Sequence, residues 1–151
     1  MSLHNPFVEV FANKMFLVTV FAWLCAQSIK IFTSLVITKR FNFKLLLGTG
    51  GMPSAHASAV SALTISVGKT AGFDSPVCIV CLLFALITMF DAQGVRRNVG
   101  FQAATLNKIA EEIYFNRGLQ PNRLKELLGH TPVEVFAGAL LGAGLAFFMY
   151  R

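Results

Sequence analysis

Charge is what this sequence has little of. Only 13% of its 151 residues are Asp, Glu, Lys or Arg, and acidic residues are the scarcer kind, 7 against 13 basic. Soluble domains carry about 25% charged residues, so a water-facing surface is excluded over most of the chain. Cysteine is sparse too. Cys25, Cys78 and Cys81 sit inside apolar runs, and the Cys78-x-x-Cys81 spacing lacks the loop and strand-helix-strand setting of a redox pair, so all three read as packing residues. His4, His56 and His130 are too few convergent donors for a metal cage, and no His-Glu-x-x-His motif accompanies them. Neither a metal nor a cofactor is expected. There is no internal repeat and no low-complexity linker. The first apolar run lacks a small-x-small cleavage site, so it is expected to be retained.

What is present is apolar: 55% hydrophobic residues and a mean hydropathy of +0.64. The length suits a single domain spanning residues 1–151. The expected fold is all-α, an integral membrane helical bundle of about four transmembrane helices plus short interfacial helices. The runs Met15 to Thr38, Pro53 to Thr70, Pro76 to Phe90 and Thr131 to Tyr150 supply the spans. Ala55, Ser58, Ala59, Ser61 and Ala62 in the second run permit close helix approach, as do Gly138 and Gly142 in the last. Between the third and last spans, Leu106, Ile109, Ile113 and Tyr114 mark one face of an amphipathic helix starting at Gln102 and stopping at Gly118. A shorter helix is expected from Pro121 to Leu128.

The net charge of +6 comes without a recognition helix or aromatic sheet motif, which excludes nucleic acid and favours anionic lipid or a phosphorylated substrate. Threading the four spans puts Lys39, Arg40, Lys44, Arg96, Arg97, Lys108, Arg117, Arg123 and Lys125 on one side of the bilayer. Only Lys14, Lys69 and Arg151 fall on the other. The first side is therefore expected to be cytoplasmic, or its organellar equivalent, in a multi-pass protein. A homo-oligomer is left open.

Chemistry-bearing residues gather on that same side. In Gly50-Gly51-Met52-Pro53-Ser54-Ala55-His56, the glycines allow the backbone close to a bound group, Pro53 fits a first helical turn and Ser54 can cap it. His56 then stands at a helix N-terminus, which favours an anion; a plain glycine loop entering a membrane helix fits the same residues. Gln27, Lys30, Ser34 and Thr38 draw a polar stripe down one helix face, and Lys30 either faces the bundle interior or snorkels. His130 and Glu134 are four apart, so on a helix the carboxylate can hold one imidazole nitrogen; dipole compensation is the other reading of Glu134. Asp91 either orients Arg96 or Arg97 or simply ends a span as an interfacial polar residue. Two histidines facing a cationic pocket provide a nucleophile and a proton donor for phosphoryl transfer, with Lys and Arg neutralising the phosphoryl oxygens.

Pro53-Ser54-Ala55-His56 resembles the Pro-Ser-Gly-His motif of the type 2 phosphatidic acid phosphatase superfamily, and His130-x-x-x-Glu134 followed by Ala137-Gly138 resembles its His-x-x-x-Asp helix. The strings GGMPSAHAS, DAQGVRR and GHTPVEVFAG are similar to a small, divergent branch described as acid phosphatase/vanadium-dependent haloperoxidase related. The likeness runs from Gln27 to Gly142 and implies a metal-independent membrane phosphatase. Its substrate would be a lipid phosphomonoester or pyrophosphate headgroup, such as phosphatidylglycerophosphate, phosphatidate or a prenyl phosphate. By this resemblance His130 attacks phosphorus to form a phosphohistidine, Glu134 orients it and His56 protonates the leaving oxygen. Ser54 and the backbone near Gly51 hold the phosphate, and Lys30 with Arg40 or Lys39 stands for the first-motif cations. Ala55 replaces Gly, Glu134 replaces Asp, and Leu124 occupies the position of the third-motif arginine, which leaves Arg96 or Arg97 to supply that charge. The displaced arginine supports an alternative, a non-catalytic membrane protein that keeps the fold and binds a phosphorylated lipid or partner. Vanadate is expected to inhibit rather than to serve as a cofactor.

Overall fold

The computed structural model describes residues 5–39, 51–115, 124 and 129–151, and every regular element among them is a helix. Helix α1, Pro6–Ala12, starts where the Asn5 side chain accepts the Phe7 N–H at 3.1 Å. Asn13 then accepts the Met15 N–H at 2.8 Å and opens α2, Lys14–Thr38. Ser54 caps α3, Ala55–Ala71, which stops at Gly72 with φ 92°. Ser75 caps α4, Pro76–Gln93, and α5, Val95–Phe115, follows after Gly94 alone. The last helix, α6, covers Pro132–Met149.

The amphipathic helix thus begins at Val95, not at Gln102. No proline lies between Pro76 and Pro121, and one glycine breaks the ladder without a loop: Gly94 N–H donates to Phe90 O at 2.8 Å, and Asn98 N–H donates to Gly94 O at 3.0 Å. The sequence motif Asp91 to Arg97 is therefore the last turn of one helix and the first turn of the next. The segment assigned to a helix over Pro121 to Leu128 falls outside the described residues apart from Leu124.

Among the described residues, three stretches are long and apolar enough to cross a bilayer: Lys14–Val36, Pro76–Ile113 and Pro132–Met149. The protein is an all-helical integral membrane protein. The remaining expected span, α3, is different in kind, since its 17 residues are rich in alanine, serine and threonine. It forms the centre of the bundle, with α2, α4 and α6 all packed on it. Small side chains make this possible. A Cβ on Gly138 would fall on the Ser54 carbonyl, and one on Gly142 would fall on the Ser58 carbonyl, so α6 lies directly on the α3 backbone. Across the other interfaces, Ser58 Oγ donates to Ala22 O at 3.0 Å and Thr64 Oγ1 donates to Cys81 O at 3.3 Å. Replacing Ser58 with alanine is expected to lower stability by about 0.6 kcal/mol, an ordinary value for a side-chain hydrogen bond between membrane helices. Thermal unfolding in detergent would show it as a small drop in midpoint.

The two ends of the bundle differ. At one, Lys14 Nζ lies 4.3 Å from the Tyr150 ring centroid and Lys69 Nζ lies 3.9 Å from that of Phe147. At the other, the starts of α3 and α6 meet the end of α4 over a small buried cluster of Ala57, Ala92 and Val135. The outward faces of α4 and α6 expose Val80, Ile87, Phe136 and Phe148, as expected for surfaces in contact with lipid.

Candidate active site

Three helix ends build the site, and backbone hydrogen bonds hold them together. Ser54 is fully buried; its Oγ accepts the Ala57 N–H at 3.4 Å, while its own N–H donates to Glu134 O at 3.0 Å. That bond ties the start of α3 to the first turn of α6. α4 ends at Gln93, and the Ala92 carbonyl in its last turn accepts the His130 N–H at 3.0 Å. His56 from α3 and His130 from the residues before α6 are thereby brought face to edge, with ring centroids 6.4 Å apart and planes at 74°. His130 is 4% exposed and its Nδ1 has no hydrogen-bond partner among the described residues, whereas His56 is on the open side.

Lys30 completes the group from α2. It is 5% exposed, so it faces the interior and does not snorkel, and Gln27 one turn earlier is buried with it. Gly51, at φ 88°, leaves room for it: a Cβ there would stand 2.9 Å from Lys30 Cδ. The close approach that the glycine loop permits is therefore made by a lysine stem.

Burial pushes the His130 imidazole below its ordinary 6.5; Glu134 opposes this, while the charges of His56, Lys30 and Arg96 act in the same direction as burial. His130 therefore stays neutral, and nucleophilic, to a lower pH than a free histidine. The unfolded chain takes up the proton first, so the folded state loses stability as pH falls below 6.5 and keeps this contribution above it. If turnover depends on neutral His130, the acid limb of kcat/KM is expected below 6.5. An acid limb above that value would contradict the assignment.

The adjacent arginines do different things. Arg96 Nε meets Asp91 Oδ2 at 2.7 Å across the Gly94 break, which settles Asp91's partner. Arg97 turns its guanidinium over the Phe101 ring at 5.5 Å, and its backbone is pressed by Gly129, where a Cβ would clash. Two cations in a helix's first turn oppose its dipole; Asp91 offsets one of them. If the site holds a phosphate, Arg96→Ala is expected to weaken its binding at least tenfold, about the effect of one charge-assisted pair, and more than Arg97→Ala. Phosphate titration of the two variants compares them.

The spacing argument for Glu134 does not hold in the fold. His130 and Thr131 precede α6, so His130 and Glu134 do not share a helix face. Instead Glu134 Oε2 accepts the Thr131 N–H at 2.9 Å, and Glu134 N–H donates to Thr131 Oγ1 at 3.3 Å, a capping box. Its effect on His130 is through charge. Lys39 is exposed and closes α2 with φ 52°, and no described contact joins it to the histidines. Arg40 lies outside the described residues.

One contributor to the site carries no sequence motif, and one clamp elsewhere on α5 was likewise unmarked. Ala92 acts only through its carbonyl. Asn107, 7% exposed, clamps Leu124 with paired bonds, Nδ2 to Leu124 O at 2.9 Å and Leu124 N to Oδ1 at 2.8 Å. An asparagine inside a helix, where its propensity is poor, was the one available signal.

An all-helical membrane bundle with paired histidines at the start of two helices belongs with one class of protein: the chain is a member of the divergent PAP2 family, which it matches over residues 11–145. It is also 40% identical over 148 residues to an uncharacterized membrane protein of Bacillus subtilis (strain 168), YuiD, an alignment covering 89% of this chain and 92% of that protein. No solved structure matches it.

Proposed function

We propose that this protein is a multi-pass membrane phosphatase acting on a lipid phosphate headgroup at the cytoplasmic surface. One observation carries the reading: His56 and His130, from separate helix starts, stand 6.4 Å apart beside buried Lys30. That gap suits a phosphoryl group bounded by a nucleophile and an acid. An imidazole nitrogen of His130 attacks phosphorus, and the bond from phosphorus to the ester oxygen breaks as His56 gives that oxygen a proton. Water then attacks the phosphohistidine while His56 takes a proton from it, the phosphorus–nitrogen bond breaks, inorganic phosphate leaves, and His56 is again the proton donor. Lys30 and Arg96 neutralise the phosphoryl oxygens, with Arg96 standing in for the arginine that Leu124 replaces. Ser54 keeps the start of α3 in place and has a hydroxyl hydrogen left to donate.

Purified protein in detergent with a chelator is expected to release inorganic phosphate from phosphatidate or a prenyl phosphate and to trap label on histidine. Binding of these lipids without release from any of them would instead establish the second reading, which Leu124 favours: a fold kept for binding a phosphorylated lipid.

A further inference from the structure

The half of the bundle away from the histidines carries a cleft that the phosphatase reading does not use. Ile65 of α3 lines it together with Leu140, Gly144 and Phe147 of α6 and with Arg151 just beyond, around a volume of about 590 Å³. That is the size of a ligand site. Leu140 and Phe147 are both more than half exposed, so the cleft lies on the outside of the bundle. Gly144 gives it depth: Gly138 and Gly142 are pressed against α3, but a Cβ on Gly144 would meet nothing within 4 Å. From Leu140 to Phe148 the cleft follows about 12 Å of helix, close to half of a hydrocarbon core roughly 30 Å thick. Its length is therefore about that of one leaflet.

The outer rim of this apolar cleft is cationic. Lys69 Nζ stands 3.9 Å from the centroid of the Phe147 ring, and Arg151 lines the cleft itself. Neither has a carboxylate partner among the described residues. An apolar channel one leaflet deep, ending under two cations, is complementary to a phospholipid with an anionic headgroup, and each Lys or Arg at such an interface adds about fivefold to its binding. A second copy of the chain fits less well, because a symmetric contact through this face would set Lys69 and Arg151 against the same two residues of the other copy. We propose that the cleft between α3 and α6 binds an anionic diacyl phospholipid in the leaflet opposite the histidines, with its headgroup on Lys69 and Arg151 and an acyl chain running past Gly144.

Phosphatidylglycerol and phosphatidylcholine with the same acyl chains are titrated into the protein in a nonionic detergent, and bound lipid is counted by native mass spectrometry. Wild type is expected to hold phosphatidylglycerol about twentyfold more tightly, from about fivefold for each of two cations. Replacing both, Lys69→Gln with Arg151→Gln, is expected to bring the two lipids within about threefold of each other. Should that double variant fail to fold, the single variants are read instead, at about fivefold each. Gly144→Leu fills the cleft and is expected to weaken phosphatidylglycerol binding at least tenfold, by a steric clash of about that size, while its midpoint in lipid-free detergent stays that of wild type. Equal affinity for the two lipids in wild type, or a preference that survives loss of both cations, overturns the inference. So does unchanged binding in Gly144→Leu, and so does a wild-type dimer that Gly144→Leu disperses, which would give this face to a second copy. None of these residues belongs to the histidine site, so the outcome stands apart from whether the protein turns over a phosphate.

Discussion

His130→Ala is expected to lower phosphate release by about four orders of magnitude or more, the usual consequence of removing a covalent nucleophile. Among the described residues, neither Glu134 nor Ser54 is placed to replace it. Glu134 is occupied in the α6 capping box, and Ser54 is buried against α6. His56→Ala is expected to act less severely, by about 10²- to 10⁴-fold, since it removes proton donation and leaves the attack intact. The two losses should not add, because both groups serve one step. Lipid binding is expected to survive in both variants, as Lys30 and Arg96 remain. Equal release by wild type and His130→Ala would end the phosphohistidine mechanism, whereas unchanged binding with no turnover in wild type would point to the binding role.

The second large effect is on the frame. Gly142→Leu is expected to destabilise the protein by about 3 kcal/mol or more, because overpacking at a backbone contact cannot be relieved by rotating a side chain. The obstacle is the Ser58 carbonyl, which a Cβ at Gly142 would strike. Gly144→Leu, two residues on, is the control: nothing lies within 4 Å of a Cβ there. Thermal unfolding in detergent should show a large drop for the first and little for the second. Matching midpoints would mean that α6 does not rest on α3 through its glycines. Since Ser54 is linked to Glu134 one turn from the same crossing, Gly138→Val is expected to disturb the histidine pair as well as the fold.

Much of the fold was legible because local rules settle it. The caps Asn13, Ser54, Ser75 and Thr131 open four helices, and three of these openings carry a proline in the first turn or just before the cap. The Asn5-Pro6 start of α1 uses the same signal. Of the two readings of Lys30 on the polar stripe of α2, the interior one holds. Misreadings came where an element began at a different residue than its spacing suggested. Glu134 was paired with His130 by spacing, but the helix begins after His130, so its carboxylate serves Thr131. The amphipathic helix, expected from Gln102, starts at Val95 because a single glycine separates it from α4.

For Gly50 to His56, the sequence alone determined a helix start capped by serine and preceded by a backbone able to come close to something. Capping and glycine freedom depend on neighbours in the chain, so no fold was needed to read them. Tertiary structure decided what comes close. It is the stem of Lys30 that runs past Gly51, while α6 lies on Ser54 and His130 lies across from His56. Those partners sit tens of residues away, and only the packing of small residues between α3 and α6, with the carbonyl of Ala92 left over at the end of α4, brings them to one place.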